Sequence, residues 1–508
     1  MKTILYLFIA LLALVKVQAQ NVTITPGGIT PAMSGTYPRL SYEAILALPN
    51  PQTGDQAFDI TYNCMRFYIQ GKWLCSYQDL QNYAPNMLAI VSEGGTNLDY
   101  GQDIALDASG NIYITGYFSG TTIFGGTSIP SKGSRDIFVA KYNKSGTLQW
   151  VQTPGGTNDN SARSIALDGN GNIYITGEYS GSATFGATTI YSNGSSDIFL
   201  AKYNNNGIVQ WVQSAGGLLA EVSSSIAVDG SGNAYITGSY SGTATFAGTT
   251  LTTQGGTDIF VAKYNTSGSL QWVKSAGGTG NDSGFGIALD NNANVHITGN
   301  YEATAQFEAT SHDSKGFTDI FIAKYNNIGS LQWVRSAGGT SSDEGNDIAI
   351  DGSGNVFITG NYIGLASFGI NTLSAQGGYE VFVAKYNASG TYQWARSLGG
   401  TENDFGEDIV VENDGTVYIT GYFYGTAFPI PRTSRGASDI FVAKFDSDAN
   451  FEWVQSAGGL NQDSGSGITV DLNGNVYAVG GYNGTSSFGR NTKTSKGLHD
   501  IFVVMLDK

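Results

Sequence analysis

One stretch of sequence occurs seven times in this chain, and its clearest copy runs from Gly155 to Trp211. Each copy contains a Gly-Gly pair and, further on, an Asp-Ile-Phe triplet that is Glu-Val-Phe in one copy. The pairs begin at residues 94, 155, 216, 277, 338, 399 and 458, and the triplets begin at 136, 197, 258, 319, 380, 439 and 500. Successive copies are 61 residues apart, except for one spacing of 59. A fixed period of this length means that each copy is one structural unit packed against its neighbours.

Each copy has the pattern of four short strands. In the copy from Gly155, apolar or alternating runs predict strands at Ile165–Asp168, Asn172–Tyr179, Asp197–Tyr203 and Ile208–Val212. Turns rich in Gly, Asn and Asp separate them, and we expect the Gly-Gly pair to end the fourth strand. A longer excursion, residues 181 to 196, separates the second strand from the third. Four short strands per repeat are typical of a β-propeller blade.

The two ends of the repeat region predict how a ring would close. The last copy stops after its third strand, Asp500 to Leu506, and has no segment for a fourth. Leu88–Val91, before the first Gly-Gly pair, aligns with the fourth-strand segment Leu148–Val151. An N-terminal strand that completes the last blade would remove the open edge of an incomplete sheet. We therefore predict an all-β fold in which residues 87–508 form a closed seven-bladed β-propeller of four-stranded blades.

The repeat resembles the bacterial β-propeller repeat family called SBBP and, more distantly, the NHL propellers. The resemblance rests on Ser164-Ile-Ala-Leu-Asp168, Gly171-Asn-Ile-Tyr-Ile-Thr-Gly177 and Asp197-Ile-Phe-Leu-Ala-Lys202, and it covers Gly94 to Lys508. It implies an exported, surface-associated bacterial protein. It implies no particular ligand.

The charge of the chain narrows the classes of partner. A formal net charge of −16 argues against nucleic acid and against an anionic membrane surface, because a protein surface that meets phosphates needs a basic field. Cations and neutral glycans are compatible with an acidic surface. We expect a monomer whose partner is an extracellular glycan or a surface protein.

The first 19 residues predict a cleaved secretory signal. Lys2 precedes the apolar run Ile4–Val15, and Val17-Gln18-Ala19 has the small residues of a cleavage site. The apolar run is shorter than the roughly 20 residues that span a membrane, and no later segment is apolar enough to do so. We expect the mature chain to begin at Gln20 and to be secreted or held at the cell surface.

Residues 20–86 lie outside the repeat and contain both cysteines, Cys64 and Cys75. Alternating segments at residues 58–62, 64–69 and 72–77 predict a small β-hairpin module. The oxidising environment of an exported protein favours a disulfide between the two cysteines, and two free buried thiols are the alternative.

Residues that all seven copies share most simply serve the fold. Six tryptophans fall at one register of the fourth strand and predict packing between blades, with sugar stacking as the alternative: Trp150, Trp211, Trp272, Trp333, Trp394 and Trp453. The segment Asp107-x-x-Gly-Asn111 predicts a hairpin turn, because it lacks the ligands of an EF-hand. The three histidines, His296, His312 and His499, do not have the spacing of zinc ligands.

An acidic column follows the Gly-Gly pairs and consists of Asp99, Asn160, Glu221, Asp282, Asp343, Asp404 and Asp463. Hydrogen bonds to turn amides are one interpretation, and a ligand site at the mouth of the ring is the other. The fifth and sixth copies carry extra carboxylates, so the predicted binding residues are Asp343, Glu344, Asp347, Glu402, Asp404, Glu407 and Asp408. Crowded like charges repel unless water screens them or a cation bridges them. We therefore predict a weak Ca²⁺ site with Asp343 and Asp404 as ligands, and no other cofactor.

The sequence contains no recognisable catalytic constellation. The leading hypothesis is an exported, non-catalytic binding or scaffold protein that contacts a glycan or a surface macromolecule through its loops. A polysaccharide lyase or glycoside hydrolase that uses carboxylates is the second hypothesis. A purely structural module of an envelope or matrix is the third.

Overall fold

The computed structural model describes residues 85–507 except residue 430, together with six strands and a few single positions among residues 1–84. The chain divides into two compact units, Met1–Pro85 and Asn86–Lys508. The predicted secretory signal, residues 1–19, lies outside the described residues. Within the described part, no helix has the length and apolarity needed to cross a membrane.

The described elements of the first unit are short strands. They are β1 (Val22–Thr25), β2 (Gly28–Pro31), β3 (Arg39–Leu40), β4 (Gln56–Asp59), β5 (Cys64–Ile69) and β6 (Lys72–Cys75). β1 pairs with β2, and the other four form one sheet in the order β3-β4-β5-β6. In the backbone register of β5 and β6, Cys75 lies opposite Arg66. The side chains of Cys64 and Cys75 lie outside the described residues, so the disulfide stays a prediction.

The second unit begins with β7 (Met87–Gly95) and continues through the repeats. The first repeat has β8 (Asp99–Leu106), β9 (Ile112–Phe118), β10 (Thr121–Phe124), β11 (Thr127–Pro130), β12 (Asp136–Tyr142) and β13 (Leu148–Gln152). The second has β14 (Asn160–Leu167), β15 (Ile173–Tyr179), β16 (Ser182–Phe185), β17 (Thr188–Tyr191), β18 (Asp197–Tyr203) and β19 (Val209–Gly217). The third has β20 (Val222–Val228), β21 (Ala234–Phe246), β22 (Thr249–Tyr264) and β23 (Leu270–Gly278).

The remaining strands follow the same scheme. The fourth repeat has β24 (Ser283–Leu289), β25 (Val295–Phe307), β26 (Thr310–Tyr325) and β27 (Leu331–Gly339). The fifth has β28 (Glu344–Ile350), β29 (Val356–Tyr362), β30 (Leu365–Phe368), β31 (Asn371–Ser374), β32 (Glu380–Tyr386) and β33 (Tyr392–Leu398). The sixth has β34 (Asp404–Val411), β35 (Val417–Ala427), β36 (Arg432–Phe445) and β37 (Phe451–Gly459), and the seventh has β38 (Ser464–Val470), β39 (Val476–Phe488) and β40 (Asn491–Leu506).

Antiparallel pairing joins the strands of each repeat into a group of four. In the second repeat, β14 pairs with β15, β15 with β18, and β18 with β19. The excursion between the second and third strands is not a loop. It is a hairpin, formed here by β16 and β17, and in the third repeat it is a direct continuation of β21 and β22. The all-β class is confirmed, and we interpret each group as one blade.

The N-terminal strand supplies the fourth strand of the last group, as predicted. β7 pairs with β40, and Val91 lies opposite Val503. The first strands of successive groups contact one another in chain order, and β38 of the last group contacts β8 of the first. Within the described part of the chain, the hydrogen-bonded sheets do not join into one closed sheet. The ring is therefore completed by packing between neighbouring groups.

The hydrophobic core consists of clusters that lie between successive groups. One cluster brings Ile137 and Val139 of the first repeat against Ile175 and Phe199 of the second. The cluster that joins the two ends of the repeat region brings Ile501 and Val503 against Ile114 and Phe138. Each sheet thus has a neighbour on both faces, which buries the near-continuous apolar runs of its middle strands.

The fourth strand β19 ends at the Gly-Gly pair, but the pair forms its last two residues and is not the predicted turn after the strand. β19 continues through the pair, and Gly216 and Gly217 lie opposite Thr245 and Ala244 in the excursion of the next repeat. A β-carbon on Gly217 would lie only 1.9 Å from the carbonyl oxygen of Thr243. Glycine is required because two backbones approach closely, not because a turn begins. We call this junction of a Gly-Gly pair with the next excursion a seam.

The shared tryptophans also connect neighbouring groups. Trp150 donates a hydrogen bond from its indole nitrogen to the carbonyl oxygen of Asn205, at 3.1 Å. A β-carbon on Gly207, in the same turn, would lie 2.9 Å from the Trp150 ring. The next repeat therefore packs against this half-buried ring, which confirms the predicted packing between groups. Asp107 accepts amide hydrogen bonds from Ser109 and Asn111, which confirms the predicted hairpin turn.

A single alanine substitution tests the close approach at a seam. In the Gly278→Ala variant, the new β-carbon would lie 1.8 Å from the carbonyl oxygen of Thr304. The strands must separate to admit it, and we expect a loss of about 1–3 kcal/mol in the free energy of unfolding, measured by urea denaturation.

Gly230→Ala is the matched control, because its β-carbon would have no neighbour within 4 Å. We expect this control to change stability by less than about 0.5 kcal/mol. Equal unfolding midpoints for the two variants would contradict the role of the seam.

Candidate functional site

The acidic column is buried in the seams. Asp343 Oδ2 accepts a hydrogen bond from the Gly339 amide at 2.7 Å, and its Oδ1 accepts one from the Ile363 amide at 3.3 Å. Asp404 accepts equivalent bonds from Gly400 and Tyr424, at 2.7 and 3.2 Å. Burial raises the pKa of Asp343 to about 6 and that of Asp404 to about 7. Both carboxyls accept hydrogen bonds from backbone amides. At these two positions the structure agrees with the first interpretation of the column, hydrogen bonding to backbone amides.

The predicted Ca²⁺ site stays a prediction. In the part of the chain that the structure describes, no group of three or more His, Cys, Asp and Glu side chains could hold a metal ion. The oxygens of Asp343 and Asp404 accept amide hydrogen bonds that a cation would have to replace.

The other predicted residues divide into an exposed one and an inner group. Glu402 is exposed in the loop before β34, whereas Glu344, Asp347, Glu407 and Asp408 lie half-buried on the first strands β28 and β34. These first strands contact one another around the centre of the ring. The structure therefore brings four of the seven predicted residues onto one inner wall.

Asp347 and Asp408 form a coupled pair across neighbouring groups. Burial raises the pKa of Asp347 to about 6, and burial together with the charge of Asp347 raises that of Asp408 well above its usual value. Each carboxyl acts on the pKa of the other, so the two acids titrate as a pair. Asp408 Oδ2 also accepts a hydrogen bond from the Ile468 amide at 2.6 Å.

Asp103 joins this pair, although the sequence analysis missed it. Its Oδ2 accepts hydrogen bonds from the Ser164 hydroxyl at 2.7 Å and from the Ile165 amide at 2.8 Å. Burial, and next the charge of Asp408, raise the pKa of Asp103 to about 7. Gly467 of the intervening repeat has room for no side chain, since its β-carbon would lie 2.9 Å from the Asp103 Cα. The last and first repeats meet here only because the ring closes.

Aromatic side chains flank the inner acids. Phe405 stacks on Tyr422 with ring centroids 4.9 Å apart, and Tyr100 stacks on Tyr117 at 6.0 Å. Each stacked pair lies directly opposite across the first and second strands of its group. Tyr379 and Tyr424 extend the first stack, at 5.5 Å from Phe405 and 6.2 Å from Tyr422.

Glu407 lies among these aromatic rings. Burial, and next the charges of Glu344 and Asp408, raise the pKa of Glu407 to about 7. The charge of Glu407 in turn acts on Tyr100 and Tyr422, which places these rings near it. We call Tyr100, Phe405, Tyr422, Glu344 and Glu407 the inner-wall site. It presents flat apolar surfaces beside two carboxyls.

The neighbouring part of the wall has its own cations. The Arg163 guanidinium forms a salt bridge with Glu178 at 2.9 Å, and Arg135 lies 5.1 Å above the Tyr117 ring. Among the described residues, the only charged side chains that shift the pKa of Glu407 are Glu344 and Asp408. The inner-wall site is therefore acidic, and among the described residues no cation acts on Glu407.

Two signals in the sequence could have located the aromatic part of this site. The position after each column residue is Tyr100 in the first copy and Phe405 in the sixth, whereas other copies have Ser161, Ser283 and Ser464 there. Its cross-strand partner is aromatic in the same two copies, as Tyr117 and Tyr422. The third and fifth copies have Val222 and Glu344 there, so the position is aromatic in two copies only, which indicates a local role and not a demand of the fold.

Calorimetric titration tests the Ca²⁺ prediction. Saturable heat that disappears in the Asp343→Asn, Asp404→Asn double variant would support a calcium site, because the two carboxylates are its predicted ligands. If titration of the parent protein with Ca²⁺ produces no heat, the predicted calcium site is wrong. The double variant must keep the circular dichroism spectrum of the parent, since both side chains cap buried amides.

A known family of repeats matches parts of the repeat region. Five stretches match the SBBP β-propeller repeat: residues 93–121, 149–178, 210–239, 332–361 and 452–482. An uncharacterized WD repeat-containing protein of Acanthamoeba polyphaga mimivirus is 26% identical over 77% of this chain and 36% of its own length. The regulatory protein FlaEY of Caulobacter vibrioides is 27% identical over 33% of this chain and 18% of its own length. This chain thus spans about a third and about a fifth of these relatives.

A solved structure, YCF48 bound to D1 peptide, resembles the chain with a TM-score of 0.39. The likeness covers 84% of this chain and 95% of the other, at 10% sequence identity. The repeat period, the four-stranded groups and the five matched stretches agree, and the chain contains β-propeller repeats of the SBBP type.

Proposed function

We propose that this chain is an exported, non-catalytic binding protein that holds a glycan at its inner-wall site. The observation that carries the proposal is the stack of Phe405 on Tyr422 beside Glu344 and Glu407, since only the first copy has an aromatic pair at the same two positions. Ligand sites combine apolar or aromatic surfaces with a few placed polar groups, and this site has both.

The chemistry of the acids favours a hydroxyl-rich ligand. A carboxyl with a pKa of about 7, as for Glu407, is partly neutral under ordinary conditions and can both donate and accept hydrogen bonds. Sugar hydroxyls offer both partners, while the flat faces of Phe405 and Tyr422 suit the apolar face of a sugar ring. A basic segment of a surface protein would use the same residues through charge and cation–π contacts, and it is the alternative outcome of the test.

The rigid four-stranded groups favour a binding site on the inner wall over one formed by the surface loops alone. The groups of four strands fix the inner wall from both sides, so the aromatic rings and carboxyls are positioned before a ligand arrives. Export belongs to the proposal because the predicted signal at residues 1–19 would place the chain among extracellular glycans. N-terminal sequencing of the secreted protein should begin at Gln20, and retention of an intact N-terminus inside cells would contradict export.

A glycan array followed by calorimetry tests the binding proposal. The Phe405→Ala, Tyr422→Ala double variant should lose at least about tenfold in affinity for any glycan that the parent binds, because two stacking surfaces disappear. The matched control is Val222→Ala with Ser239→Ala, which alters the same two positions in the third repeat. We expect the control to bind like the parent.

The other outcomes separate the hypotheses. Equal losses in the test and control variants would place the ligand elsewhere and contradict the inner-wall site. Binding of basic peptides without any glycan would favour a surface protein as partner. Binding of neither class would leave the purely structural module as the better account.

A carboxylate-dependent polysaccharide lyase or glycoside hydrolase is the second candidate. The observation that favours it is the raised pKa of Glu407 beside the carboxyl of Glu344, since such pairs perform acid–base chemistry on glycosidic bonds. A product assay on each bound glycan decides the point. Turnover that the Glu407→Gln variant abolishes, with binding retained, would favour the enzyme.

A further inference from the structure

Two buried carboxyls meet at six of the seams, and in five of these pairs one carboxyl oxygen has no hydrogen-bond partner. At the seam of Gly277, a β-carbon on this glycine would lie 2.7 Å from Asp258 Oδ1 and 2.9 Å from Asp282 Oδ2. Asp258 begins the third strand of one repeat, and Asp282 is the column residue of the next. The equivalent pairs are Asp500 with Asp99, Asp197 with Glu221, Asp319 with Asp343, and Asp439 with Asp463. Each of these ten side chains is almost inaccessible to solvent.

One carboxyl oxygen in each of these pairs accepts no hydrogen bond. The five oxygens are Glu221 Oε1, Asp258 Oδ1, Asp319 Oδ1, Asp439 Oδ1 and Asp500 Oδ1. A buried polar atom without a partner is costly, and a buried carboxylate beside a second carboxylate is more so. A proton on one member of a pair removes one charge and supplies the missing donor.

The two remaining seams have donors of other kinds. At the seam of Gly399, Glu380 Oε2 accepts hydrogen bonds from the hydroxyls of Tyr362 and Ser397, and its Oε1 accepts one from the Gln376 amide. At the seam of Gly155, Asn160 takes the place of the column acid, and both oxygens of Asp136 accept hydrogen bonds from the amides of Lys132 and Gly156. Neither exception therefore combines two acids with an unpaired carboxyl oxygen.

We propose that each of the five seams takes up one proton between its two carboxyls in mildly acidic solution, so that the ring is a pH-sensitive assembly. When the proton leaves, two negative charges face each other across the seam and the neighbouring repeats are held less firmly. Acidification towards pH 5 restores the proton and tightens the ring.

The direction of the pH dependence follows from the raised pKa values. Burial raises the pKa of Asp258 to about 6. Burial also raises the pKa of Asp282 to about 6, although hydrogen bonds from backbone amides oppose part of the increase. The usual value for an aspartate is 3.8, so the folded protein binds protons that the unfolded chain has released. The free energy of unfolding therefore falls as the pH rises from about 4 to about 7, and it levels off above that range.

The seam of Asp258 and Asp282 is the simplest to test. The titratable groups that face this pair are Glu302, whose charge acts on Asp282, and the phenols of Tyr240 and Tyr301. At other seams a cation also acts on the pair, namely Lys315, Arg435 or Lys496. The inner-wall acids add their own pH dependence to the whole protein, so the test compares variants at two pH values.

The Asp258→Asn variant imitates the protonated seam. Its amide oxygen can accept the hydrogen bond that Asp258 Oδ2 receives from the Gln254 amide at 3.2 Å, and its NH₂ group can donate to Asp282. We expect its melting temperature to exceed that of the parent by about 1–3 °C at pH 8 and to match it at pH 5.5. Asp319→Asn should behave in the same way at a second seam.

Glu380→Gln is the matched control, because both oxygens of Glu380 already accept hydrogen bonds from donors. We expect it to gain no stability at pH 8. Asparagine variants that are equally destabilised at both pH values would overturn the proposal, as would a Glu380→Gln variant that gains as much as they do. If both asparagine variants fail to fold, the seam acids act as charged acceptors and the proposal is also overturned.

Discussion

The close approach of two backbones at each seam is the contact on which the rest of the structure depends. A strand ending in Gly216-Gly217 reaches the excursion of the next repeat only because neither residue has a side chain. The first glycine lies against the carboxyl of Asp197, and the amide of the second donates to Glu221. The end of one strand, the excursion of the next repeat and the buried acids thus form one structural unit. Repeating this unit around the ring places the first strands side by side at the centre.

In a repeat protein of this kind, we expect a functional site where the sequence of a copy differs from that of most other copies. Trp150 and its counterparts attract attention in the sequence, yet the next repeat packs against the Trp150 ring. Phe405 and Tyr422 are conspicuous only against the non-aromatic residues at the same positions in five of the other copies. The acids beside them have raised pKa values because the inner wall withholds water and gathers like charges. The proposed recognition of a ligand with many hydroxyl groups would make use of these raised pKa values.

The period of the sequence predicts most of the fold, and physical reasons explain what it does not predict. Four strands per repeat and the pairing of β7 with β40 follow from the pattern of apolar residues and from the missing last strand. Glycine pairs in a sequence indicate a turn as readily as a close contact, so the extension of β19 was not predicted. The site was half predicted: Glu407 and Asp408 are neighbours in sequence, whereas Asp103 reaches them only through ring closure.

Hydrogen exchange at the seams tests the central claim most directly. The account holds that the second glycine of each pair, such as Gly217, Gly278 and Gly339, donates its amide to a buried carboxyl and is released only when neighbouring repeats separate. These amides should therefore exchange as slowly as those of the buried second strands. Rapid exchange at the seams while the second strands stay protected would show that the repeats are held together elsewhere, and would contradict the account.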